Sequence, residues 1–226
     1  MNNSIKKLKL ATIISFIVFV VYTLVVKFVL VAPIGPNDTN VGLAPLNKAV
    51  DDMLGLNMTI DKFTDIFLYA AILLAFCLGL YALRQAIEGK SLMKIDKGVF
   101  WTLLFYVMVI VVYCMFELIK INYRPVIIEG ELEYSYPSSH TMIILCILVP
   151  MMFQTSRLLK NKTMIIIAKI VCIIMMFLTV GGRILSGMHW FTDIIGGILI
   201  SVCLIFVYAL VLNIIDEKSA NKQDNK

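Results

Sequence analysis

The chain has 226 residues, 60% of them hydrophobic and 15% charged, with a formal net charge of +5. That balance excludes a soluble globular domain of this size, because the apolar residues fall in long blocks. The positive charge does not signal a nucleic-acid partner, since it is clustered at the ends of those blocks and reports orientation in a membrane.

A helix crossing about 30 Å of hydrocarbon needs about 20 mostly apolar residues. Leu10–Val31 is the first such run. Its basic start resembles a signal peptide, but the run is too long and lacks a small-residue cleavage site, so it reads as a retained span. The connection Ala32–Lys62 is rich in Pro, Gly and Asn. Within it Leu46, Ala49, Val50, Met53 and Leu54 recur at helical spacing between Lys48, Asp51 and Asp52, which predicts a short amphipathic helix in the interface. Asn37 and Asn57 each begin an Asn-x-Thr triplet, to which no function is assigned.

Phe63–Leu83 and Val99–Ile119 predict the second and third spans. A polar connection, Ile119–Pro137, then carries Lys120, Arg124, Glu129, Glu131, Glu133, Tyr134 and Tyr136. Ser138–Leu158, Met164–Val180 and Trp190–Ile215 predict the fourth, fifth and sixth spans. The expected fold is therefore an all-α polytopic membrane protein, a six-helix bundle forming a single domain over 1–226.

Thirteen of the twenty basic residues fall on one side of this topology: Lys6, Lys7, Lys9, Arg84, Lys90, Lys94, Lys97, Arg157, Lys160, Lys162, Lys218, Lys222 and Lys226. The positive-inside rule makes that side cytoplasmic, with both termini. The five cysteines, Cys77, Cys114, Cys146, Cys172 and Cys203, each fall in a separate span, so neither a disulfide framework nor a metal spacing is expected.

The chemistry-bearing residues gather on the outer side. A charge at membrane depth costs about 2.5–3.5 kcal/mol on insertion scales, so ionisable groups there mark function. His189 and Asp193 are four apart, which on a helix places them on one face. A carboxylate beside an imidazole fixes its tautomer and frees the other nitrogen as nucleophile or base. Arg183, near Gly181, Gly182 and Gly187, and Arg124, followed by Pro125, offer guanidinium forks suited to phosphate oxygens. Ser138 and Ser139 are good helix caps at the start of the fourth span, where free N–H groups favour an anion. His140 supplies the second imidazole. Together these residues suit phosphoryl transfer without a metal or other cofactor.

This pattern resembles the type 2 phosphatidic acid phosphatase superfamily of lipid phosphate phosphatases. The family's motifs are a lysine seven positions before Arg-Pro, then Pro-Ser-Gly-His, then Ser-Arg with a histidine six residues after the arginine and an aspartate four after that. Here Arg124-Pro125, Pro137-Ser138-Ser139-His140, and Arg183 with His189 and Asp193 stand in that order within Glu117–Asp193.

The resemblance implies that His189 attacks phosphorus, oriented by Asp193, through a phosphohistidine. It implies that His140 protonates the leaving oxygen and then activates water, while Arg124, Arg183 and Ser138 hold the phosphate oxygens. The implied substrate is a membrane lipid phosphate met at the outer leaflet of the cell membrane: a polyprenyl diphosphate such as undecaprenyl diphosphate, phosphatidylglycerol phosphate or phosphatidic acid. A lipid-linked phosphotransferase and a non-catalytic binding or transport protein are the alternatives.

The chain departs from the pattern at three positions. Glu117 stands in the lysine's place and is expected to pair with Arg124 or Lys120, or to favour a substrate bearing positive charge. Lys120, a turn before Arg124, is a candidate phosphate contact in its stead. Ser139 replaces the glycine, and Gly182 replaces the serine before Arg183.

Overall fold

In the computed structural model, which describes residues 3–128 and 130–224, six long apolar helices form an antiparallel bundle. They are α1 (Asn3–Phe28), α3 (Met58–Glu88), α4 (Lys97–Leu118), α5 (Ser139–Leu158), α6 (Lys162–Ser186) and α7 (Phe191–Asp224), with a shorter α2 (Ala44–Leu54) between the first two. All six are long and apolar enough to cross a membrane. Glu129 and Lys226, placed by the sequence in the polar loop and the basic tail, lie outside the described residues.

Three of the long helices, α3, α4 and α6, start before their apolar runs, each at a polar residue that caps it. The Asn57 side chain accepts from the Thr59 and Ile60 N–H groups, and Asn161 does the same for Thr163 and Met164. Capping satisfies N–H groups that a helix start leaves without an internal partner. Asn57 thus serves as a cap, and its own N–H donates to the Ser186 carbonyl at 2.8 Å, tying the start of α3 to the end of α6. Gly187 ends α6 at φ +66°, a conformation that glycine adopts without strain.

The interior packs Phe19, Phe105, Phe116, Met142, Cys146 and Tyr208 between α1, α4, α5 and α7. Large apolar side chains such as Ile13, Phe16, Phe76 and Phe177 face outward, as expected where lipid rather than water surrounds the bundle. At the basic end the amide nitrogen of Gln154 lies within hydrogen-bond distance of Thr102 Oγ1 (2.8 Å), the Tyr208 hydroxyl (2.9 Å) and the Gly98 carbonyl (3.2 Å), which share its two N–H donors. At the opposite end a short hairpin, β1 (Ala32–Pro33) with β2 (Asn40–Val41), leads into α2. There Asn47 bonds both the N–H and the hydroxyl of Thr192, so α2 is fastened to the start of α7.

Candidate active site

The loop between α4 and α5 folds back on itself. Ser135 N–H donates to the Asn122 carbonyl at 3.0 Å and Arg124 N–H to the Glu133 carbonyl at 3.0 Å, which carries Arg124 over the ends of α5 and α7. A cavity of about 430 Å³ lies beneath, lined by Arg124, Ser139, His140 and His189 together with Glu117, Glu131, Glu133 and Tyr113.

His189 does not share a helix with Asp193. The helix α7 begins at Phe191, and Asp193 in its first turn reaches back to accept the Trp190 N–H at 3.1 Å. His189 therefore sits in the turn before the helix, with its Nδ1 4.0 Å from Asp193 Oδ2, beyond hydrogen-bond length. The other carboxylate oxygen accepts from Asn122 Nδ2 at 3.0 Å, and both side chains are buried. On the far side of the ring, Arg124 NH1 lies 3.2 Å from His189 Nε2. Because a guanidinium can only donate, this contact requires a lone pair on Nε2 and puts the ring proton on Nδ1, toward Asp193. Burial, and then the charges of Arg124, Arg183 and His140, hold this imidazole well below its usual range, so it is neutral near pH 7.

Ser138 is the residue before α5, but its hydroxyl makes no capping bond and is buried without a partner. Its N–H donates to the Asp193 carbonyl at 2.9 Å and is not available to an anion. Ser139 and His140 open the helix beside the cavity. Their N–H groups are of the kind a helix leaves without an internal acceptor.

Arg183 is near this centre but does not line the cavity. Its side chain is 2% exposed, and its guanidinium is ion-paired with Asp61 and Asp65 of α3. Asp65 Oδ1 also lies 3.1 Å from His140 Nε2. Gly182 makes this possible: a Cβ there would collide with the Thr64 methyl group, so the missing serine is what brings α6 against α3.

The expected partners of Glu117 are engaged elsewhere. Arg124 Nε sits 2.9 Å from Glu133 Oε2, and Lys120 Nζ lies over the Tyr134 ring at 5.0 Å from its centroid, outside the cavity lining. Glu117 itself faces the cavity. Among the described residues no group of three or more His, Cys, Asp or Glu side chains is arranged to hold a metal ion.

Asp61, Asp65, Asn122 and Glu133 were not anticipated as part of the site. The signal for Asp65 was present, because it stands inside a predicted membrane span where a carboxylate is costly.

Fold and site thus define an all-α, six-span integral membrane protein with a polar cavity at one end, lined by both of its histidines. Residues 117–215, which hold all three motifs, match the family model described as the PAP2 superfamily, and the resemblance read from the motifs holds over that stretch. The chain is also similar to the crystal structure of the first transmembrane PAP2 type phosphatidylglycerolphosphate phosphatase from Bacillus subtilis. The TM-score is 0.61 at 17% identity, covering 92% of this chain and 96% of that one, a likeness of fold. No curated protein matches the chain.

Proposed function

We propose that the protein is a phosphatase of membrane lipid phosphates that works through a phosphohistidine on His189. The observation that carries this reading is the neutral, buried imidazole whose Nε2 lone pair faces the Arg124 guanidinium at 3.2 Å, on the wall of a cavity shared with His140. A nucleophile, a fixed positive group and a second imidazole are what phosphoryl transfer needs from a protein.

In this reading a phosphate monoester or diphosphate enters the cavity and takes Arg124 from Glu133. Its oxygens rest on Arg124 and on the N–H groups of Ser139 and His140. His189 Nε2 attacks phosphorus as the bond to the leaving oxygen breaks, and His140 gives that oxygen a proton. The phosphorylated imidazole retains its Nδ1 proton, and its positive charge is balanced by Asp193. Water then attacks phosphorus and yields a proton to His140, the P–N bond breaks, and phosphate leaves with His189 neutral again.

The membrane character of the substrate is supported by an apolar groove of about 270 Å³ between α3, α4 and α5, which shares Tyr113 with the polar cavity. A lipid tail in that groove would place its headgroup at His189. Polyprenyl diphosphate, phosphatidylglycerol phosphate and phosphatidic acid all have this form. The cavity lies at the end opposite Lys6, Lys7, Lys9, Arg84, Lys90, Lys94, Lys97, Arg157, Lys160 and Lys162. The positive-inside rule makes that basic end cytoplasmic and the cavity extracytoplasmic, with both termini inside.

The test is phosphate release by the purified protein in detergent from a panel of these lipids. Release that resists a chelator, is blocked by vanadate and falls at least about 10³-fold in His189→Ala supports the reading. Activity that survives His189→Ala refutes the nucleophile, and labelled phosphate appearing on an added lipid alcohol in place of water makes the enzyme a transferase.

A further inference from the structure

The stretch that carries the family motifs begins at residue 117, yet the imidazole proposed to handle the leaving group is held by a residue far upstream of it. Asp65 Oδ1 lies 3.1 Å from His140 Nε2, while His140 Nδ1 is buried with no hydrogen-bond partner. The same carboxylate oxygen is ion-paired with Arg183, which also grips Asp61 one turn earlier on α3. Asp65 is therefore fixed from two sides.

We infer that Asp65 is the positioning residue of the leaving-group acid. It forms with His140 a second carboxylate–imidazole pair, separate from that of Asp193 with His189. The inference rests on the phosphatase reading and deepens it.

The chemistry follows from the ring's two nitrogens. A carboxylate accepting from Nε2–H holds the ring in one orientation and leaves Nδ1 to exchange protons with a bound ester. When both nitrogens are protonated, Nε2–H stays on Asp65 and the Nδ1 proton passes to the leaving oxygen as its bond to phosphorus breaks. Nδ1 then carries a lone pair that takes a proton from the attacking water, and the cycle closes. The Asp65 carboxylate lies directly against the ring, so its negative charge balances the imidazolium. Asp61 touches Arg183 alone and has no part in that balance at the ring.

Leaving-group dependence separates positioning of an acid from support of the fold. An alkyl phosphate expels a poor leaving group that needs a proton, whereas an aryl phosphate expels a good one that needs it far less. The value of kcat/KM reports only the steps up to departure of that group, so later hydrolysis of the phosphoenzyme does not blur it. The measurement compares dioctanoyl phosphatidic acid with p-nitrophenyl phosphate for the whole protein and for Asp65→Asn, Asp65→Glu and Asp61→Asn.

Positioned acid catalysis contributes about 10²–10⁴-fold. Asp65→Asn is expected to lose about 10²-fold or more on the alkyl phosphate and less than about tenfold on the aryl phosphate. Asp65→Glu should fall between it and the wild type, and Asp61→Asn should reduce both substrates alike. Equal losses on both substrates in Asp65→Asn overturn the inference while leaving the phosphatase reading intact. Absence of turnover in the wild-type protein overturns the phosphatase reading itself. Should Asp65→Asn not fold, Asp65→Glu against Asp61→Glu decides on the same ratio of the two substrates.

Discussion

Replacing Gly182 with serine puts back the residue that the family pattern has before its arginine, and the packing of α6 on α3 predicts what that costs. The new Cβ would lie well inside van der Waals contact of the Thr64 methyl group, and Thr64 is fully buried with its hydroxyl bonded to the Asp61 carbonyl at 2.7 Å. Neither helix can yield locally, because Asn57 at the start of α3 is bonded to Ser186 at the end of α6. Overpacking of this kind costs about 1–3 kcal/mol. For a domain of this size each kcal/mol is worth roughly 2–4 °C, so Gly182→Ser should melt roughly 2–12 °C lower in detergent. It should also lose activity, since pushing α6 outward draws Arg183 away from Asp61 and Asp65.

The counter-substitution Thr64→Ser removes the obstructing methyl and keeps the hydroxyl, at about 0.8 kcal/mol for the lost apolar group. In that background Gly182→Ser should add almost nothing, giving a coupling of about 1–3 kcal/mol in a double-mutant cycle, within the range for residues in contact. The readouts are apparent melting temperature and phosphate release on all four proteins. A Gly182→Ser variant as stable as wild type, or an equal penalty with and without the Thr64 methyl, would refute the packing explanation.

The His189 imidazole is held well below its usual value of about 6.5 by burial first and by Arg124, Arg183 and His140 after it. Below pH 6.5 the unfolded chain therefore takes up a proton at this residue that the folded chain refuses. Its contribution is fully present above that pH and is lost on acidification, by at most about 1.4 kcal/mol per pH unit. The melting temperature of wild type should fall more steeply between pH 6.5 and 5 than that of His189→Asn, and parallel slopes would contradict a neutral buried His189. At the far end of the bundle, Gln154→Leu removes the two N–H donors that Thr102, Tyr208 and Gly98 share. Interhelical bonds of this kind contribute about 0.6–2 kcal/mol each within a membrane. The variant should melt lower with kcat/KM within about twofold of wild type, and a large loss of kcat/KM would show that this network communicates with the cavity.

Six spans were legible because lipid demands long apolar runs, and each run corresponds to one helix. The ends were not, because they depend on single caps: α3 begins at Met58 rather than Phe63 because Asn57 can accept two N–H groups there. Spacing brought His189 and Asp193 together for an incomplete reason. They are near each other, but Asp193 caps its own helix and His189 stands outside it, so the ring geometry is set by Arg124 and the turn. The order of the motifs could also place Arg124, His140 and His189 around one cavity without revealing which charges were already paired. Arg183 is an arginine suited to phosphate when read along the chain, yet across the bundle it is taken up by two carboxylates that only the meeting of α3 and α6 brings within reach. Gly182 reads in sequence as a lost hydroxyl. In the folded chain its missing side chain allows the approach that fixes Asp65 on His140, so a departure from the family pattern at one helix is coupled to a carboxylate–imidazole pair built from two others.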